Sequence, residues 1–197
     1  DVALREALAM GCDEAYLVSA REFGGSDTYA TSGIIAAALK KIGYDLIITG
    51  RQAIDGDTAQ VGPQIAEKLH LPQVSYVEEV VEAAADHVVV KRQFEDGYHI
   101  IKIKTPCLLT AIAELATPRY MSVRGIVEAY EKEIKVLGFE DLKDGLELDM
   151  IGLKGSPTNV YQSFTKEVKG AGTILEGLSA DEAVKAIMDK LEAKFII

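Results

Sequence analysis

The feature that most narrows the fold is Asp45-Leu-Ile-Ile-Thr49, a short apolar run that closes on Gly50 and has helical periodicity on both sides. Continuous apolar strands of this kind are usually buried on both faces, as in a parallel sheet covered by helices. Upstream, Leu4, Leu8 and Met10 share one helical face, and Gly11 ends that helix. Residues 14–19 read as a short strand and Phe23-Gly24-Gly25 as a loop. Ser26 or Asp27 then caps a helix running to about Lys41, with Ala30, Ile34, Ala37 and Ala38 on its apolar face and Gly43 at its end. A second helix is expected over 58–70, with Ile65, Ala66 and Leu69 toward the sheet and Pro63 confined to the first turn. The order helix, strand, helix, strand, loop, helix implies right-handed crossovers and a parallel sheet, so the class is α/β.

The pattern changes after residue 73. Residues 74–81, 87–94 and 99–104 are β-rich, with Glu95-Asp96-Gly97 as a hairpin turn between the last two. Lys102 and Lys104 alternate with Ile101 and Ile103, so one face is wet. Pro106 introduces a last strand over 107–112, and the whole block reads as an antiparallel β extension of the parallel sheet. Residues 125–134 form a short amphipathic segment. From 137 to 169 the chain is turn-rich and reads as an extended arm. Ser179-Ala-Asp-Glu182 is a capping box opening a terminal helix with Ala183, Ile187 and Leu191 on its apolar face, followed by apolar Phe195-Ile196-Ile197. The expected division is therefore 1–136 as the α/β domain, whose ligand loop is described below, and 137–197 as an extended arm and helix. That helix either folds back on its own domain or docks on another subunit. Asp1 to Met10 reads as a helix already in progress, with no strand before it, so residues upstream are expected to be missing.

Composition excludes several functions. The chain has 197 residues and a formal net charge of -10, a surface that repels phosphate backbones, so nucleic-acid binding is not expected. No run approaches the roughly 20 apolar residues that span a bilayer, so no membrane insertion is expected. Two cysteines, Cys12 and Cys107, lie far apart and outside any CxxC. They read as buried, inert thiols in a reducing, cytoplasmic compartment.

The segment Gly50-Arg-Gln-Ala-Ile-Asp-Gly-Asp-Thr-Ala-Gln-Val-Gly-Pro63 follows a strand and precedes a helix. That places it at the carboxyl ends of parallel strands, where α/β proteins bind ligands. Gly50, Gly56 and Gly62 allow close backbone approach to a ligand. Thr58, Ala59, Gln60 and Val61 are expected to offer free N–H groups in the first helical turn, where the helix dipole favours an anion. Arg51 adds a cation, whereas Asp55 and Asp57 repel phosphate unless they cap N–H groups or take ribose hydroxyls. The alternative, a plain strand-to-helix connection with turn glycines, stays open on these grounds. No GK[ST] closes the loop, no GxGxxG is present, and no GxSxG anchors a hydrolase triad. His70, His87 and His99 lack metal spacing, so neither catalytic nor metal residues are assigned. Missing acid–base chemistry fits a protein whose reactivity resides in a cofactor.

The stretch from Gly50 through Pro63-Gln-Ile-Ala66 is similar to the nucleotide loop of electron transfer flavoprotein beta subunits. Ala7-Leu-Ala-Met-Gly-Cys-Asp13 and Pro106 with its following strand resemble the same family. Pro118-Arg-Tyr-Met-Ser122 looks like the loop such subunits present to partner dehydrogenases. The resemblance implies cofactor binding by Gly50, Arg51, Gln52, Ala53, Ile54, Asp55, Asp57, Thr58, Ala59, Gln60, Val61 and Gly62. It also implies an FAD-bearing alpha subunit as partner, on which the terminal helix packs, and an absent N-terminal portion that supplies the domain's first strands and part of the nucleotide site. Asp-Gly-Asp-Thr-Ala-Gln-Val-Gly-Pro, Gly155-Ser-Pro-Thr158 and Ser163-Phe-Thr165 resemble the bifurcating, anaerobe-type branch. In that branch the beta subunit holds FAD, and electrons pass from NADH to ferredoxin or flavodoxin and to an acyl-CoA dehydrogenase. The respiratory branch instead implies AMP as a structural ligand. His99 and Gln93 depart from the family pattern, which leaves the details of flavin tuning open.

Overall fold

The computed structural model describes residues 1–158, 160–165, 168 and 170–196. Two compact units divide the chain, Asp1–Asn159 and Val160–Ile197. In the first, α1 (Val2–Ala9), β1 (Ala15–Val18), α2 (Thr28–Ile42), β2 (Leu46–Gly50) and α3 (Val61–Leu69) follow the expected alternation. Then come β3 (Gln73–Ala83), β4 (His87–Phe94), β5 (Gly97–Lys104), β6 (Cys107–Ala111), α4 (Val123–Glu131), β7 (Ile134–Leu137) and α5 (Phe139–Leu142). The helix faces are those the periodicity predicts: Ala30, Ile34, Ala37 and Ala38 of α2 and Ile65, Ala66 and Leu69 of α3 are all buried. Gly43 ends α2 at φ +84°, a conformation that costs glycine nothing.

The strands form a five-stranded sheet in the order β2-β6-β3-β4-β5 and a two-stranded parallel pair, β1 with β7. β3, β4 and β5 are antiparallel neighbours, and Glu95-Asp96 makes the turn between the last two. β6 departs from the expected antiparallel block. It runs parallel to both of its neighbours, inserted between β2 and β3. Its sequence explains why: Cys107, Leu108, Leu109 and Thr110 are buried on both faces, as a central strand requires. β2 is displaced to the edge in consequence, and Ile48, expected to be buried, is 54% exposed.

Buried clusters hold the first unit around its sheets. Val74, Val77, Val88, Val90, Ile103, Cys107 and Leu109 pack on one face of the large sheet. Ala36, Ile47, Ile65, Ala66, Leu69 and Leu108 pack α2 and α3 on the other. Leu137, Leu142 and Ile151 join Ile34, Ala37 and Ala38 of α2. The amphipathic segment expected over 125–134 is helix only to Glu131, and Ile134 opens β7. Cys107 is buried, and burial pushes its thiol up. Cys12, expected to be buried, is exposed in the turn after α1.

In the second unit, α6 (Ala180–Glu192) opens on the expected capping box. The Ser179 amide donates to Glu182 Oε2 at 2.9 Å and the Ser179 hydroxyl accepts from the Glu182 amide. Ile197, read as part of the apolar end, lies outside the described residues, as do Asn159, Lys166, Glu167 and Lys169 of the turn-rich stretch. No helix among the described residues is long and apolar enough to cross a membrane.

Candidate functional site

At the carboxyl end of β2 the chain forms one wall of a cavity of about 590 Å³. Ten of the twelve residues assigned from sequence line it: Gly50, Arg51, Gln52, Ala53 and Asp55 from the loop, and Thr58, Ala59, Gln60, Val61 and Gly62 leading into α3. Ile54 and Asp57 do not. Ile54 is 99% exposed, and it borders a neighbouring cavity instead. Asp57 turns its carboxylate back onto the loop, accepting a hydrogen bond from Gln52 Nε2.

The helix begins at Val61, three residues later than predicted, because Asp57 and Ala59 both have left-handed backbones (φ +50° and +52°) that no α-helix accommodates. The amide donors at its start are therefore those of Val61 and Gly62 rather than of residues 58–61, and Pro63, at the third helical position, has none. No side chain caps this helix, and Gln60, Val61 and Gly62 at its start line the cavity, so its positive end is open to an anion there. Gly62 has a second role that periodicity did not reveal. A Cβ built there would lie 2.7 Å from Thr110 Cγ2 and 2.7 Å from Thr49 Oγ1, so its absence lets α3 sit directly on β2 and β6. At Gly50 and Gly56 an added Cβ would meet nothing within 4 Å.

The opposite wall is α2. Ser26, Asp27, Thr28 and Thr31 face the same cavity, and none was assigned from sequence. The signal was present, since the loop after β1 also ends at the carboxyl end of a parallel strand and Ser26 or Asp27 was read as its cap. Thr28 Oγ1 donates to Gln60 Oε1 at 3.1 Å and ties the two walls together. Asp27 Oδ1 accepts from the Ala30 amide at 3.0 Å and Oδ2 from the Thr158 amide at 3.0 Å. Ser156, buried, accepts from the Asp27 amide at 2.8 Å and donates to the Gly152 carbonyl at 2.7 Å. The α2 wall thus carries hydroxyls and an already engaged carboxylate, suited to sugar hydroxyls and base edges. The α3 wall carries amide donors and Arg51, suited to phosphate.

Burial pushes the Asp27 carboxyl up, but the amide hydrogen bonds from Ala30 and Thr158 outweigh this, so it titrates below the usual carboxylate range. An unfolded aspartate titrates near about pH 3.9. The stabilisation is therefore complete above about pH 4 and is lost as pH falls through the lower folded value. Asp27→Asn keeps the bond from Ala30 but sets an amide donor against the Thr158 N–H. Urea unfolding should show wild type more stable than the variant near neutrality, with the gap closing as acid protonates Asp27. A gap independent of pH would show that the charge of Asp27 contributes nothing.

Arg51 also borders two further cavities. One, of about 420 Å³, is shared with Gln52, Ile54, Gln93 and Glu114. The other, of about 680 Å³, runs over the β3–β4 surface along Tyr76, Arg92, Gln93, Phe94 and the Glu95-Asp96 turn. His87 and His99 stand apart from all three. His87 Nδ1 is hydrogen-bonded with Asp86 at 2.7 Å, and His99 lies beside Phe94 with ring centroids 4.3 Å apart.

A mixed sheet with helices on one face and a two-walled cavity at the carboxyl ends of its parallel strands defines an open α/β protein, the class in which such a crevice takes the ligand. The model of the electron transfer flavoprotein domain matches residues 1–142. The chain belongs to the electron transfer flavoprotein family and is similar to that family's beta subunits throughout. The acryloyl-CoA reductase electron transfer subunit gamma of Anaerotignum propionicum is 56% identical over 200 residues, covering 98% of this chain and 74% of that one. The caffeyl-CoA reductase-Etf complex subunit CarD of Acetobacterium woodii is 51% identical over 195 residues, covering 98% and 73%. The electron transfer flavoprotein subunit beta of Clostridium acetobutylicum is 52% identical over 195 residues, covering 99% and 74%.

Proposed function

We propose that this chain is the beta subunit of an electron transfer flavoprotein that holds FAD between α2 and the 50–62 loop. With an FAD-bearing alpha subunit it passes electrons from NADH to ferredoxin or flavodoxin and to an acyl-CoA dehydrogenase. The observation that carries the FAD reading is the position of Arg51, which borders the two-walled cavity and both adjoining ones. AMP would fill only the first. A dinucleotide needs a continuation past the pyrophosphate, and the cavities beside Arg51 offer it. The partner class is supported by relatives whose names place them in acryloyl-CoA and caffeyl-CoA reductase complexes.

In this reading the amides of Val61 and Gly62 and the Arg51 guanidinium hold the pyrophosphate, while Thr28, Thr31 and Asp27 face the adenosine half. FAD, when bound, supplies the hydride acceptance and one-electron transfer that no side chain here supplies. The protein's part is to bind, orient and exclude water. The terminal helix α6 carries the contact with the alpha subunit, its Val184, Ile187 and Met188 being exposed apolar groups.

The reading is tested by releasing and counting the nucleotides of the intact alpha–beta complex. Two FAD per complex is the expected result. One FAD with one AMP would leave a structural nucleotide in this chain and remove NADH oxidation from it.

A further inference from the structure

We propose that Tyr76 is a positioning residue. It holds the Arg51 guanidinium at the junction of the cavities and forms the wall against which the planar ring portion of the bound cofactor lies. This rests on the reading of the cavity as a dinucleotide site.

The argument starts from the backbone. Tyr76 has φ +58°, a left-handed conformation that a bulky aromatic residue rarely adopts and that is rarer still inside a strand. It sits at a break in register. Val74 pairs with Leu109 and Val77 with Ala111, so two residues of β3, Ser75 and Tyr76, stand opposite the single Thr110. This is a β-bulge, a device that re-aims a side chain. The bulge is fixed from both sides. Val74 and Val77 are buried in the core, and the Tyr76 amide, out of the ladder, donates to the buried Thr110 Oγ1 at 3.1 Å.

A bulge that served only to bend the strand would be most comfortable with glycine or asparagine at this φ. The chain carries a tyrosine instead, and its ring borders the groove formed with Arg92, Gln93 and Phe94. The Arg51 guanidinium lies 6.0 Å from the ring centroid, at the outer limit of a cation–π contact. Strain retained by a rigid surround, with the strained side chain directed into a cavity, marks a functional position. Thr110 links this position to the α3 wall as well, since its hydroxyl takes the Tyr76 amide while its methyl lies beneath Gly62.

The test uses the alpha–beta complex stripped of nucleotide and titrated separately with FAD and with AMP. Five variants are compared: Tyr76→Phe, Tyr76→Leu, Tyr76→Gly, Arg51→Ala and the double variant Tyr76→Leu with Arg51→Ala. Phe keeps the ring and should bind FAD within twofold of wild type. Leu keeps the backbone strain and apolar bulk but has no aromatic face, and should lose FAD affinity about tenfold while AMP, which meets Arg51 through its phosphate but does not reach the groove, loses no more than about threefold. Gly should lose FAD affinity equally while its Tm stays level or rises, the strain being relieved. Tyr76→Leu should cost FAD affinity less in the Arg51→Ala background than the tenfold it costs alone, because the hold on Arg51 is already lost there and only the wall remains to be removed. Equal FAD binding by Leu and Phe would overturn the proposal, as would a parallel loss of AMP and FAD, which would mean the ring acts only through the fold. Wild-type complex that retains no nucleotide on this chain would sink the cavity reading itself. Nucleotide retained by wild type but indifferent to every Tyr76 variant would sink only the role of Tyr76.

Discussion

Gly62→Val is expected to cost about 1–3 kcal/mol of stability and to strip this chain of its nucleotide, because it removes the close seat of α3 on the sheet. The first added carbon already lies 2.7 Å from both Thr110 Cγ2 and Thr49 Oγ1. Neither neighbour yields easily. Both belong to strands, threonine has restricted χ1 freedom, and Thr110 is held by its bond to the Tyr76 amide. The helix must therefore lift. The Val61 and Gly62 amides, in the cavity lining at the start of α3, move with it. Two readouts separate the effects. Urea unfolding of the variant should show a lower midpoint with an unchanged m-value. The nucleotide count of its alpha–beta complex should fall on the beta side alone. Gly50→Ala is the matched control, because a Cβ there meets nothing within 4 Å and that glycine is not in the left-handed region, so its stability should stay within about 0.5 kcal/mol of wild type. Equal stability of the Gly62→Val and Gly50→Ala variants would mean that α3 is not seated on Thr49 and Thr110 as the structure has it.

Leu108→Ala should be strongly destabilising, at about 2–5 kcal/mol, a large part of the roughly 5–15 kcal/mol that holds a typical domain folded. Leu108 is wholly buried on the central strand β6, between β2 and β3, and packs among Ile47, Ile65, Ala66 and Leu69 under the two site helices. Its surroundings are fixed by pairing on both sides, so the site cannot collapse to fill the cavity, and the cost should fall in the upper half of that range. Ile48→Ala removes as much side chain from the edge strand β2, where Ile48 is half exposed, and should cost under about 1 kcal/mol. Thermal unfolding of the two variants side by side checks the contrast. A similar loss in both would mean that β2 is covered as completely as β6.

What the residues determined by themselves was everything whose cause is local. The apolar spacing of α2 and α3, the glycine at the end of α2, the Glu95-Asp96 turn and the Ser179 capping box were all legible, because each depends on residues within one or two turns of chain. Strand-before-helix order was enough to place the 50–62 loop at the carboxyl ends of the strands, and ten of its twelve assigned residues line the cavity. Tertiary structure alone decided the rest. Burial on both faces belongs to β6 rather than β2, since which apolar run becomes the centre of a sheet depends on partners distant in sequence. The late start of α3 follows from left-handed residues at 57 and 59, and the second wall of the cavity comes from a separate helix upstream, α2. The strained turn at Tyr76 exists because Val74 and Val77 are anchored in a core that the local sequence does not contain. Periodicity reports which face of an element is apolar. It carries no information about which other element that face will meet, and in this chain the shape of the site is set by those meetings.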